Sequence, residues 1–408
     1  MTRTLTLLPS MLLLFVLPFP GTVALRLACL AVAFLVAIAL WRKLAPPSIP
    51  CKPALLAWMA VAFLSLAWAV DPAYSLGEIK NEILYTMMAF VAFFAVTRDE
   101  ADLRRLLQAL AAGALLLCAL ALESRLRLGL WNPEGLHGGS TAFAGYAIAV
   151  TPMLFLLGSQ LAAAWSRGAV FALFLLVAAT AFFALARIVW WALALQAVIA
   201  LILLWRRDIL KLRAGTLLAC VTGVVLLAAG AFLAAQHGKF GTSSVGVVAE
   251  DIPLGRFRLG PVLHRIAESP AAGAGFGRGA LSKAHRDLIP KGNMLLWHAH
   301  NVFLNYGLEM GVPGMLALAW LFVSLLREYW RLYAGPDRVA SLVGVAGLTL
   351  VAGMLLRNQV NDMFVRDEAI LFWALNGMLF GLGRRLRSEK NPGSLLPGHR
   401  SSSSRSGS

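Results

Sequence analysis

Of the 408 residues, 59% are hydrophobic and only 14% are charged, a balance that excludes an ordinary soluble globule. The formal net charge of +16 would suit a nucleic-acid binder. Most of that charge, however, falls in short connections between apolar runs, where membrane anchoring explains it without a nucleic-acid partner.

Apolar segments close to the thickness of a bilayer core recur along the chain. Twelve are expected to be spanning helices, at about 5–20, 21–41, 54–70, 83–97, 106–122, 141–158, 168–186, 188–205, 214–235, 302–326, 339–356 and 368–383. The first is interrupted by Pro9, Pro18 and Pro20 and, with Arg3 ahead of it, resembles a signal peptide. No convincing small-residue cleavage site follows, so a span is expected there. The expected fold is therefore an all-α integral membrane protein of about twelve transmembrane helices, with a loop subdomain of short amphipathic helices. Residues 1–235 hold nine spans, 236–300 the loop, and 301–388 the last three spans. The remainder, 389–408, has the Pro-Gly-Ser and Ser-Ser-Ser-Ser composition of a disordered tail. No internal repeat is evident, which weakens an inverted-repeat transporter.

The short connections alternate in charge. One set carries Arg42-Lys43 with Lys52, Arg98 with Arg104-Arg105, Arg167, Arg206-Arg207, Arg327, Arg331 and Arg384-Arg385. The other is poorer, with Lys80, Arg125, Arg127, Arg187, Arg357 and Arg366. The positive-inside rule then puts both termini in the cytoplasm and the long loop outside. The four cysteines (Cys29, Cys51, Cys118, Cys220) all lie away from that loop, so neither a disulfide framework nor a thiolate metal site is expected there.

The loop gathers His237, His264, His285, His298 and His300, five of the seven histidines, and eight of the 36 basic residues. Residues 255–269 are expected to form a short amphipathic helix started by Pro261, with Val262, Ile266 and Leu263 on its apolar side. Pro270 stops it, Gly273 to Gly279 makes a backbone-permissive turn, and a second short helix is expected around 281–288. The glycine run superficially resembles a nucleotide-binding loop, but no strand precedes it; a tight packing turn is the expected role.

Three constellations carry chemistry. Arg187, in a tight connection between two apolar runs and beside Trp190-Trp191, suits either a snorkelling interfacial arginine or a bidentate phosphate ligand. Arg256, Arg258, Arg265 and Arg278 suit a solvated basic surface or an anionic ligand on the outer side, such as a lipid-linked diphosphate; Arg265 stands in the helical stretch. His298 and His300 suit a general base, a substrate-positioning pair or structural caps, and Asn301 suits orientation of the adjacent imidazole or capping of the following helix. A metal site lacks a nearby carboxylate or third ligand, and no metal or cofactor is expected.

In this order and sidedness the residues resemble the O-antigen ligase and polymerase family of bacterial envelope proteins. The resemblance rests on Arg187 after an outer span, Ser269-Pro270 to Gly279, and His298-Ala299-His300-Asn301 with Asn305, Glu309, Gly311 and Gly314 following. It covers about 168–315 by motif and the whole chain by topology. One departure is Ala186, where many relatives have Ser before the arginine. The resemblance implies a metal-independent, inverting glycosyltransferase of the bacterial inner membrane with a periplasmic site. Its donor would be undecaprenyl-diphosphate-linked O-antigen, its acceptor lipid A–core oligosaccharide, and membrane lipids its surroundings. Arg187 and Arg265, with Arg258 and Arg278, would hold the diphosphate, and His298 or His300 would take the acceptor's proton. Alternatives are an O-antigen polymerase, a protein O-oligosaccharyltransferase, or a flippase of an anionic lipid. The flippase predicts charges lining the spans, which are nearly charge-free apart from Arg26. A polyprenyl-monophosphate glycosyltransferase would carry acidic residues in its first outer loop, and Phe19 to Thr22 has none.

Overall fold

The computed structural model describes residues 3–128, 139–184, 187–240, 259–289, 299, 301–359 and 366–390. In chain order the main helices are α1 (Arg3–Val16), α2 (Val23–Ala39), α3 (Lys52–Leu64), α4 (Pro72–Ile79), α5 (Tyr85–Val96), α6 (Glu100–Leu128), α7 (Gly139–Ser159) and α8 (Ala164–Phe183). They continue with α9 (Arg187–Arg206), α10 (Ala214–Phe240), α11 (Leu259–Glu268), α12 (Ala280–Ala284), α13 (Val302–Tyr333), α14 (Arg338–Arg357) and α15 (Arg366–Lys390). There is no strand among the described residues. This is what a chain must do where backbone N–H and C=O groups have no water to bond: each apolar run satisfies its own backbone as a helix.

Every one of the twelve expected apolar segments coincides with a helix. Among the described residues, nine helices are long and apolar enough to cross a membrane: Pro20–Ala39, Pro72–Val96, Glu100–Arg127, Ala142–Ser159, Ala164–Phe183, Arg187–Arg206, Ala214–Ala235, Val302–Tyr333 and Arg338–Arg357. The first helix and Lys52–Ala67 are shorter. α15 is 25 residues long but carries charge at both ends. The chain is thus an all-α, multi-pass membrane protein.

Helices α5, α14 and α15 form the centre of the bundle. Gly377 and Gly381 of α15 lie against the carbonyls of Phe90 and Phe94 of α5; a Cβ on Gly377 would sit 2.3 Å from the Phe90 oxygen. Two small residues four apart therefore let the backbones of α5 and α15 meet, the usual way helices gain packing where lipid offers no hydrophobic drive. Trp58 of α3 stacks on Trp373 of α15 with centroids 5.7 Å apart and donates its indole N–H to the Tyr306 hydroxyl of α13 at 3.1 Å. At the other extreme, α10 exposes Leu218, Leu226, Leu227 and Leu233 at the bundle's edge.

The bundle has two distinct ends. One holds Arg3 against Asp99 and Asp102, and Arg385 donating to the carbonyls of Leu44 (2.9 Å) and Ala95 (3.2 Å). The other, here the loop end, holds the starts of α2, α9, α13 and α15, the close of α14, and the residues around 259–289.

The loop helices depart slightly from expectation. α11 begins at Leu259, so Pro261 falls inside its first turn, where no N–H is needed for an intrahelical bond. Val262 and Ile266 are buried against Leu304 and Leu308 of α13, whereas Leu263 is 44% exposed. The second helix is shorter than expected: α12 ends at Ala284 and Arg286–Leu288 forms a separate 3₁₀ turn.

Candidate functional site

The glycine turn is built into the bundle, as a packing turn should be. Ala274 and Gly275 donate to the carbonyls of Leu308 (2.8 Å) and Glu309 (2.9 Å), and Val312 donates back to Pro270 at 2.8 Å. These bonds are possible because α13 is broken at Gly311, whose φ of 69° and ψ of −164° free carbonyls one turn earlier. On its other side, Val70 donates to Ala274 at 2.9 Å, Phe276 to the Ser65 hydroxyl at 3.1 Å and Gly279 to the Tyr74 hydroxyl at 2.9 Å. Gly275, at φ 101°, has no room for a side chain, since a Cβ would lie 2.5 Å from that of Ala69. Lys283 of α12 then pairs with Asp71, the N-cap of α4, and holds its carboxyl below the usual range. The chain from Pro270 to Lys283 is thus clasped between α13 and the α3–α4 corner.

Asn301 caps α13, its side-chain oxygen accepting from the N–H groups of Phe303 (2.9 Å) and Leu304 (3.2 Å). Its amide donates to Gln359 at 3.0 Å, and Val302 donates to the Asn358 carbonyl at 3.0 Å. Ala299, between the two histidines, donates to the buried Asn305 side chain at 2.8 Å. Ala299 and Asn301 are therefore tied to α13 on one side, and Asn301 and Val302 to the close of α14 on the other. His298 and His300 themselves, like Arg258, lie outside the described residues.

The close of α14 carries Arg357, 1% exposed. Its guanidinium faces Glu368 at the start of α15, with Nη2 to Oε1 at 2.9 Å and Nη1 to Oε2 at 2.6 Å. Beside it, Arg26 of α2 pairs with Asp367 and donates to the carbonyls of Leu17 (3.3 Å) and Pro20 (3.1 Å). The Arg357–Glu368 pair, buried on both sides, binds the helix ends it joins, because removing one partner strands the other at a cost of about 3–5 kcal/mol.

Arg187 opens α9 and lies at the same end. Gln196 of α9 donates to Thr349 of the antiparallel α14 at 3.2 Å and to Ile148 of α7 at 2.9 Å. Arg187 lies nine residues before Gln196 and Arg357 eight after Thr349, about 13 and 12 Å along their helices, so both arrive at similar height. Arg278, in the glycine turn, is within electrostatic reach of Glu368. Arg187, Arg278, Asn301 and Arg357 therefore share the loop end. Arg265 is differently placed: it stands on the outward side of α11, paired with Glu268 at 3.1 Å and with Asp287. Nearby His285 is held below its ordinary value by burial and by Arg265, and so is neutral at pH 7.

The sequence offered Arg357 only as a charge in an outer connection and gave Asp367 and Glu368 no role. The available signal was an arginine closing one apolar run and an Arg-Asp-Glu triplet opening the next, the pattern of ionisable groups at span ends that pair inward. Neither a scan of protein-family models nor a search of curated proteins finds a match to this chain.

Proposed function

We propose that the chain is an O-antigen ligase of the bacterial inner membrane. In this reading twelve helices span the bilayer, both termini are cytoplasmic and the loop end is periplasmic. What supports it is that Arg187, Arg278 and the helix cap Asn301 share the loop end, where Ala299 and Asn301 are tied to α13 and to the close of α14. Two guanidinium groups at the rim of an apolar bundle, Arg187 and Arg278, suit a lipid-linked diphosphate, because they can take the charge that develops on a departing phosphate oxygen; Arg357, buried against Glu368, anchors the end of α14 beside them. No nucleotide is needed, since the diphosphate is itself the leaving group. Arg265 joins them only by exchanging Asp287 for a phosphate oxygen.

The chemistry is a single displacement. A hydroxyl of lipid A–core oligosaccharide attacks the anomeric carbon of the O-antigen as the bond to the diphosphate oxygen breaks, which inverts that carbon. The hydroxyl proton passes to His298 or His300, and undecaprenyl diphosphate leaves with the electron pair. His298 is preferred as the base, because it lies further from the helix start than His300.

The deciding experiment is incubation of the purified protein with lipid-linked O-antigen and lipid A–core. Capped lipid A–core is expected. Lengthened lipid-linked glycan would instead make the chain a polymerase, glycan on protein an oligosaccharyltransferase, and no transfer with movement of lipid across vesicles a flippase.

A further inference from the structure

Gln196 is the only residue between Arg187 and Arg206 that is not hydrophobic, and it is buried near the middle of α9. An apolar side chain would fill that place without burying an amide. The amide oxygen accepts nothing among the described residues, so what the residue contributes is its N–H donors. Its nitrogen donates to the Ile148 carbonyl of α7 at 2.9 Å. Pro152 stands four residues on in the same helix and brings no N–H to that carbonyl, so Gln196 makes a bond that α7 cannot make for itself. The same nitrogen donates to the Thr349 carbonyl of α14 at 3.2 Å. Gly353 of α14 keeps the space, since a Cβ there would lie 2.3 Å from the amide nitrogen.

One side chain thus ties α9 to two neighbours at once. Both neighbours meet Glu368 at the loop end: α14 through Arg357, and α7 at Gly145, where a Cβ would come within 2.6 Å of the carboxylate. Gln196 therefore refers α9 to a frame that is already closed. Arg187 stands nine residues earlier on the same helix, about two and a half turns and 13 Å away. A helix carries a shift along its axis undiminished over that length, so a slide of α9 at Gln196 moves the guanidinium equally.

Resting on the proposed function, we infer that Gln196 is a positioning residue, which by tying α9 to α7 and α14 holds Arg187 level with Asn301 and the close of α14. Gln196→Leu removes the donors and keeps an apolar body. It should lower kcat about 10²-fold, the cost of a misplacement of about 1 Å, while the apparent KM for lipid A–core stays near wild type. In that background Arg187→Ala should add less than about threefold, although residues more than about 10 Å apart otherwise act independently. Losses that simply multiply overturn the inference. Pro152→Ala separates folding from positioning, because it gives the Ile148 carbonyl an N–H of its own helix. Added to Gln196→Leu, it should restore the midpoint of thermal unfolding without restoring kcat. Recovery of both would reduce Gln196 to a plug for one carbonyl and overturn positioning. A readout independent of transfer is the spin-label distance between Trp191→Cys on α9 and Gln359→Cys after α14, in nanodiscs and in a chain lacking its four native cysteines. It should shift or broaden in Gln196→Leu, and an unchanged distance overturns the inference. Absence of glycan transfer by wild type would instead overturn the ligase reading, and the label distance would still decide whether Gln196 holds α9.

Discussion

At the scale of single residues, the proposed site divides into guanidinium groups that bind and imidazoles that move a proton. Arg187→Ala and Arg278→Ala should each lower transfer by about 10²-fold or more, the loss seen when one donor to developing oxyanion charge is removed. Protein yield and thermal unfolding should stay near wild type, which separates a chemical loss from misfolding. Arg265 offers a sharper comparison, because Asp287 competes for it. If its guanidinium grips the diphosphate, Arg265→Ala abolishes transfer while Asp287→Asn leaves transfer intact or raised; the reverse pattern makes the pair structural. For the histidines, replacing the true base by Ala should cost about 10²–10⁴ in kcat. The pH profile gives an independent reading. A base must be deprotonated to act, so the wild-type rate should fall as pH drops through the ordinary histidine range near ~6.5. That acid limb should vanish in the variant lacking the base and survive in the other.

At the scale of elements, the broken helix α13 and the glycine turn form one unit. The break at Gly311 releases the carbonyls of Leu308 and Glu309, and the turn fills them through Ala274 and Gly275. Gly275→Ala puts a Cβ against Ala69 in a backbone region that L-residues avoid, at a cost of about 1–3 kcal/mol from strain alone. A lowered midpoint of thermal unfolding in detergent is expected. Gly223→Ala on the peripheral α10, where a Cβ meets nothing within 4 Å, is the matched control. It should be neutral or stabilising by up to about 1 kcal/mol. The glycine spacing and the proline stop were legible as a turn because both residue types act locally. Its partners were not: Ser65, Tyr74 and Ala69 lie some two hundred residues earlier, and only helix packing brings them there.

At the scale of the whole molecule, a membrane topology can be tested directly. With Ser244→Cys and Ser394→Cys introduced singly in a chain lacking its four native cysteines, an impermeant maleimide applied from the periplasmic side should label the first and spare the second. Equal labelling of both would overturn the orientation. The sequence by itself determined the helical class, the twelve apolar segments and the amphipathic face of α11, because composition and periodicity act within one element and the bilayer or core selects for them directly. It also offered Arg187, Arg258, Arg265, Arg278, His298, His300 and Asn301 as candidates, since charges, imidazoles and caps beside apolar runs stand out against so poor a background. Only the tertiary structure decided what these residues meet. Arg265 carries the same guanidinium as Arg278, yet it is held by Glu268, its i,i+3 neighbour on α11, and by Asp287, and the second partner is not legible in its local sequence. Arg26, Arg357, Asp367 and Glu368 come together from three helices because antiparallel packing brings the ends of α2, α14 and α15 to one level. Local patterns fix which helix a residue joins, whereas the pairing of buried charges is a property of helix ends that meet only once the bundle has closed.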